Sequence, residues 1–88
     1  MKVFNKPTDA LVVFSAATKM PRPYKIKYEN EYGNTVMIKI EQILYTEKRK
    51  CGGQDVLIYN CQSSTNGRLY RFELKYFLQD TRWELVKM

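Results

Sequence analysis

Asn66-Gly67 constrains this chain more than any other pair of residues, because it sets a strand register. Both residue types tolerate positive φ at low cost, and a two-residue type I′ turn needs that at both central positions. With 66 and 67 as the turn, Cys61 falls opposite Phe72, Tyr59 opposite Leu74, and Leu57 opposite Tyr76. That face is apolar or aromatic throughout, whereas Gln62–Arg71, Asn60–Glu73 and Ile58–Lys75 fall on the other. A slip of one residue would turn one strand's apolar set to solvent, so turn and pattern agree on one hairpin.

The same period of two recurs upstream. Tyr24, Ile26 and Tyr28 alternate with Lys25, Lys27 and Glu29, and after Tyr32-Gly33-Asn34 the alternation resumes at Val36, Ile38 and Ile40. A three-residue loop at 32–34, with Gly33 or Asn34 left-handed, would set Tyr28 opposite Ile38, Ile26 opposite Ile40, Lys27 opposite Lys39 and Lys25 opposite Glu41. Beyond Ile40 the apolar phase changes to Ile43, Leu44 and Tyr45, which predicts a bulge or bend near Glu41-Gln42. Residues 47–54, charged and glycine-bearing, read as a connection. A last reversal near Asp80-Thr81 would set Leu78 opposite Trp83 and Tyr76 opposite Leu85. Pro21-Arg22-Pro23 closes the amino-terminal segment. There a strand over about 10–16 is expected after a loose stretch at 1–9, with a short helix capped by Thr8 or Asp9 as the alternative. Lys2, Lys6 and the short apolar run at 10–14 weakly imitate a secretory leader, but Pro7 and Asp9 interrupt it.

The expectation is five to six antiparallel strands in meander order within one domain, residues 1–88. A flat sheet would leave an apolar face bare, and closure hides both that face and the edges. An all-β, SH3-like barrel is therefore expected, with an OB-like or split barrel as the alternative. A chain of 88 residues holds one core, and no apolar run reaches transmembrane length.

The carboxyl-terminal half carries a resemblance. Cys61-Gln62-Ser63, Asn66-Gly67, Phe72-Glu73-Leu74-Lys75-Tyr76 and Arg82-Trp83-Glu84-Leu85 resemble segments of short uncharacterised proteins of Gram-positive anaerobic bacteria. The match covers roughly residues 55–88 and consists mostly of hairpin and core positions. It implies a shared fold and a cytoplasmic bacterial protein, and nothing about chemistry.

The absence of histidine removes the usual general base near neutral pH and the commonest metal ligand. Cys51 and Cys61 are too few for a disulfide framework or a structural zinc site, which points to reduced thiols in a cytosol. Cys51, beside Lys48, Arg49 and Lys50, has the setting of a reactive thiol but no partner base, and ordinary loop chemistry is the simpler account. Cys61 is assigned to the core. Ser63-Ser64-Thr65 reads as a solvated strand end, and Glu41, Glu73, Asp80 and Glu84 form no pair spaced for acid–base work. Lys48 to Gly53 lacks the spacing of a phosphate-binding loop. Tyr70 and Phe72, placed like the aromatics of an RRM strand, point inward, where they could not stack on bases. No enzyme, cofactor, metal or membrane role is expected.

Two roles remain. The first is a protein-interaction module using an edge strand or the aromatics Tyr32, Phe77 and Trp83. The second follows from the net charge of +6: a nucleic-acid-binding barrel using Arg22, Lys25, Lys27, Lys39, Lys48, Arg49 and Lys50 on phosphates, with Tyr32 as a stacking platform. The first is preferred because the lysines are not matched by exposed aromatics on their own face.

Overall fold

The computed structural model describes residues 3–18 and 20–88. Lys2, part of the leader-like pattern, lies outside the described residues. The strands are β1 (Val3–Val13), β2 (Arg22–Glu29), β3 (Thr35–Lys39), β4 (Gln42–Cys51), β5 (Gln54–Thr65), β6 (Arg68–Phe77) and β7 (Arg82–Lys87). They form one antiparallel sheet in the order β3-β2-β1-β7-β6-β5-β4. Residues 3–9 are thus part of a strand and not a loose segment, and the helix alternative falls away.

The β5–β6 hairpin is the one the Asn-Gly signal specifies. Thr65 pairs with Arg68, Cys61 with Phe72, Tyr59 with Leu74 and Leu57 with Tyr76, and both turn residues have positive φ, 52° at Asn66 and 78° at Gly67. A second turn of the same kind replaces the expected 47–54 connection. Gly52 and Gly53 have φ of 59° and 82°, Cys51 pairs with Gln54, and β4 and β5 run as one long hairpin. This adds the seventh strand.

Two expected registers are corrected by two residues each. In the β2–β3 hairpin Ile26 pairs with Ile38, Tyr28 with Val36, Lys27 with Met37 and Lys25 with Lys39. Here the loop spans residues 30–34, because the Asn30 side chain closes it. Its Oδ1 accepts from the amides of Tyr32 (3.0 Å) and Asn34 (2.9 Å), and Gly33 is the left-handed residue. In the β6–β7 hairpin Tyr76 pairs with Trp83 and Leu74 with Leu85. The reversal occupies residues 78–81, with Thr81 at φ 50°.

The sheet curls but does not close. Consecutive strands pair throughout except β3 with β4, while the first strand pairs with the last. The open seam lies where the phase change at Glu41-Gln42 predicts a bend. Side chains of β5 satisfy the corner in place of a ladder. Ser63 Oγ donates to the Lys39 carbonyl (2.5 Å) and accepts from the Glu41 amide (3.2 Å), while the Glu41 carboxylate accepts from both the amide and the hydroxyl of Ser64. Ser63 is buried, against its expected place in a solvated strand end, whereas Ser64 and Thr65 are exposed.

β1 is shared between two groups of strands. Residues 3–8 pair with β7, and residues 9–13 pair with β2. The short β1–β2–β3 layer therefore folds over the longer β4–β7 layer. Ile26 and Ile38 from the first, with Ile40 just beyond β3, pack with Tyr59, Cys61, Phe72, Leu74 and Leu85 from the second. Tyr59 ties the layers together, since its hydroxyl donates to the Pro21 carbonyl at 2.5 Å, and burial raises its pKa above the ordinary phenol value.

Candidate functional site

The division of β1 creates an open groove beside its carboxyl-terminal half. Its ladder with β7 stops at Thr8–Trp83, so the edge of residues 9–13 turned away from β2 carries no strand among the described residues. An open groove of about 780 Å³ runs along that edge, lined by Thr8, Ala10 and Val12 on one side and by Tyr76, Arg82 and Trp83 on the other. Tyr76 and Trp83, directly paired across β6 and β7, stack at 4.7 Å between ring centres. Tyr59 backs Trp83 at 5.3 Å, and Phe14 meets Tyr76 edge-on at 6.5 Å. Phe14 is 69% exposed. Such a ring on a loop beside a strand edge is an apolar anchor in waiting. Thr8 Oγ1 is buried in the groove wall with no hydrogen-bond partner among the described residues.

Of the three expected contact aromatics, one remains at the surface. Tyr32 is 80% exposed at the tip of the β2–β3 loop. Trp83 is buried and serves as the groove floor rather than a projecting contact. Phe77 is also buried, in a small outer-face cluster with Val56 and Ile58. The guanidinium of Arg82 lies over its ring at 4.0 Å and the ammonium of Lys75 at 5.6 Å. The shifted β6–β7 register explains both corrections, because it pairs Trp83 with Tyr76 and places Phe77 beside Arg82.

The seven basic candidates do not form one surface. Lys25 and Lys27 share the outer face of β2, with Lys39 opposite Lys25 on β3. Arg22 instead stacks over Tyr24, at 4.8 Å from its ring centre. Lys48, Arg49 and Lys50 alternate along β4, at the other edge of the sheet order. Arg49 is paired with Glu47, and Lys50 lies 3.9 Å from Asp55. Only as a loop could 47–54 have brought these residues beside Lys25, Lys27 and Lys39, and as part of β4 they lie at the opposite edge.

Neither thiol is bonded to the other. Cys61 is fully buried, and burial pushes its pKa up to about 12, with the nearby Arg22 charge acting in the opposite sense. Cys51 is exposed, and the Lys75 ammonium donates to its sulfur at 3.7 Å. A disulfide-exchange reagent added to the folded protein at neutral pH should therefore modify Cys51 alone, with Cys61 reacting only after denaturation. Equal reaction rates for both thiols in the folded protein would contradict the assigned core position of Cys61. Among the described residues, no group of three or more His, Cys, Asp or Glu side chains is placed to hold a metal ion, and no helix is long and apolar enough to cross a membrane.

No protein-family model matches the sequence, and no curated protein or solved structure shows significant similarity to it.

Proposed function

We propose that this protein is a non-catalytic interaction module that holds an extended polypeptide segment along the open edge of β1. The observation that carries the proposal is the end of the β1–β7 ladder at Thr8, which leaves residues 9–13 beside the Tyr76–Trp83 stack with one side unpaired. Strand addition draws affinity from main-chain hydrogen bonds and selectivity from pockets that take alternate side chains. The edge of β1 supplies the first, and the groove floor supplies the second. The pairing of the first strand with the last supports reading this curled, open sheet as related to an SH3-like barrel, and that fold type belongs to the same proposal. A reducing, cytoplasmic setting suits the two free thiols.

Peptides selected from a random-sequence display library on the native protein test the proposal. Their affinity is expected to fall about ten-fold or more in Phe14→Ala, as for an anchor at the centre of an interface. The melting temperature should stay the same, because Phe14 is exposed. Selected peptides that bind Phe14→Ala as tightly as the native protein would place the binding surface elsewhere.

A further inference from the structure

The outer face of β1, β2 and β3 combines like charges with bare aliphatic side chains. Across the three strands, one row reads Leu11, Lys25, Lys39 and the next reads Asp9, Lys27, Met37. Leu11 is 64% exposed and Met37 58%, and they line a shallow groove together with Lys25 and Lys27. Lys27 lies 3.9 Å from Asp9. Lys25 and Lys39, by contrast, are direct cross-strand neighbours, and no salt bridge to either is formed among the described residues. Opposed like charges destabilise a strand pair. A carboxylate seated between the two ammonium groups converts that repulsion into attraction.

We propose that this face docks an acidic, aliphatic polypeptide segment, whose carboxylate sits between Lys25 and Lys39 while its apolar side chains cover Leu11 and Met37. This surface adjoins the groove along the β1 edge and shares Asp9 and Leu11 with its rim, but Lys25, Lys27 and Met37 lie outside that groove, as Phe14 lies outside this face. The choice of a polypeptide over a nucleic acid rests on the composition of the face. Asp9 and Glu29 lie on the same side as the lysines and repel a continuous polyanion. Leu11 and Met37 offer no ring on which a base could stack. An extended acidic peptide instead presents its side chains alternately to either side, so one side can carry both the carboxylate and the aliphatic contacts.

The test is fluorescence anisotropy at low and physiological salt. The probes are a labelled peptide of repeating Glu-Ser-Val-Ser, whose glutamates and valines share one side when extended, and a labelled single-stranded oligonucleotide. The native protein is expected to bind the peptide more tightly than the oligonucleotide. The double variant Lys25→Gln, Lys39→Gln should weaken peptide binding about ten-fold at low salt and flatten its salt dependence. Met37→Ser should weaken it with the salt dependence intact, and Phe14→Ala should leave it unchanged. All substituted side chains are exposed, so thermal melts should report folded variants. Tighter binding of the oligonucleotide, no binding of the peptide, or peptide binding indifferent to the double lysine variant would each overturn the proposal.

Discussion

Phe72→Ala is expected to lower the stability of this protein by about 3–5 kcal/mol, the usual effect of emptying a large aromatic site in a packed core. Phe72 is 1% exposed, lies opposite Cys61 in the β5–β6 hairpin and has its ring centre 5.9 Å from that of Tyr70. It also belongs to the cluster that joins the two layers of the fold, so the cavity would open where Ile26 and Ile38 pack over β5 and β6. Against the about 5–15 kcal/mol of net stability of a typical domain, that loss should lower the urea midpoint sharply, and at the lower end of the range it leaves the variant partly unfolded at ambient temperature. Urea denaturation followed by tryptophan fluorescence gives the number, since Trp83 is the only tryptophan. An unchanged midpoint would mean that Phe72 does not face the core.

Ser63→Ala should cost about 1–3 kcal/mol, far more than a surface serine would. The Ser63 hydroxyl bonds the Lys39 carbonyl and the Glu41 amide at once, where β3 ends and no ladder to β4 takes over. Alanine leaves both backbone groups without that partner. Glu41 acts at the same corner, and the hydrogen bonds from Ser64, backbone first and then side chain, hold its carboxyl below the usual carboxylate range. A depressed folded-state pKa contributes stability above the unfolded-state value, and this is lost as pH falls through the lowered folded-state value. Glu41→Gln should therefore remove part of the acid dependence of denaturant midpoints while Ser63→Ala keeps it. An Ser63→Ala midpoint equal to that of the native protein would show that the corner is held by something else.

Much of this fold is legible in the sequence wherever a turn and the strand pattern agree. Asn66-Gly67 has apolar alternation on both sides, and the resulting register holds from Thr65–Arg68 to Val56–Phe77. Gly52-Gly53 carries the same kind of turn signal, but the run Lys48-Arg49-Lys50 beside it reads as loop composition and hides the strand. The β2–β3 register misses by two residues because alternation fixes only its parity. The length of the loop is decided by the Asn30 side chain, and an asparagine at the end of a strand is the signal that would have given it. Ser63 was out of reach for a different reason. Its partners lie more than twenty positions away along the chain, and local pattern gives no hint of contacts at that range.

The candidate site was legible only in kind. An edge strand and Trp83 were both anticipated as contact elements, yet the groove depends on β1 leaving β7 at Thr8 and joining β2, which no periodicity records. In the sequence Phe14 is simply one more residue of an apolar run, whereas its contact with Tyr76 makes it the exposed wall of the groove.

The open edge of β1 is tested most directly by amide hydrogen exchange, measured by NMR on the native protein alone and saturated with a peptide selected on it. Without peptide, amides of residues 9–13 that do not donate to β2 should exchange rapidly, while those of β5 and β6 are protected. With peptide, protection should appear at those same β1 amides, together with intermolecular backbone contacts of an added strand. A peptide that binds tightly while the β1 edge amides keep their free exchange rates would contradict the account.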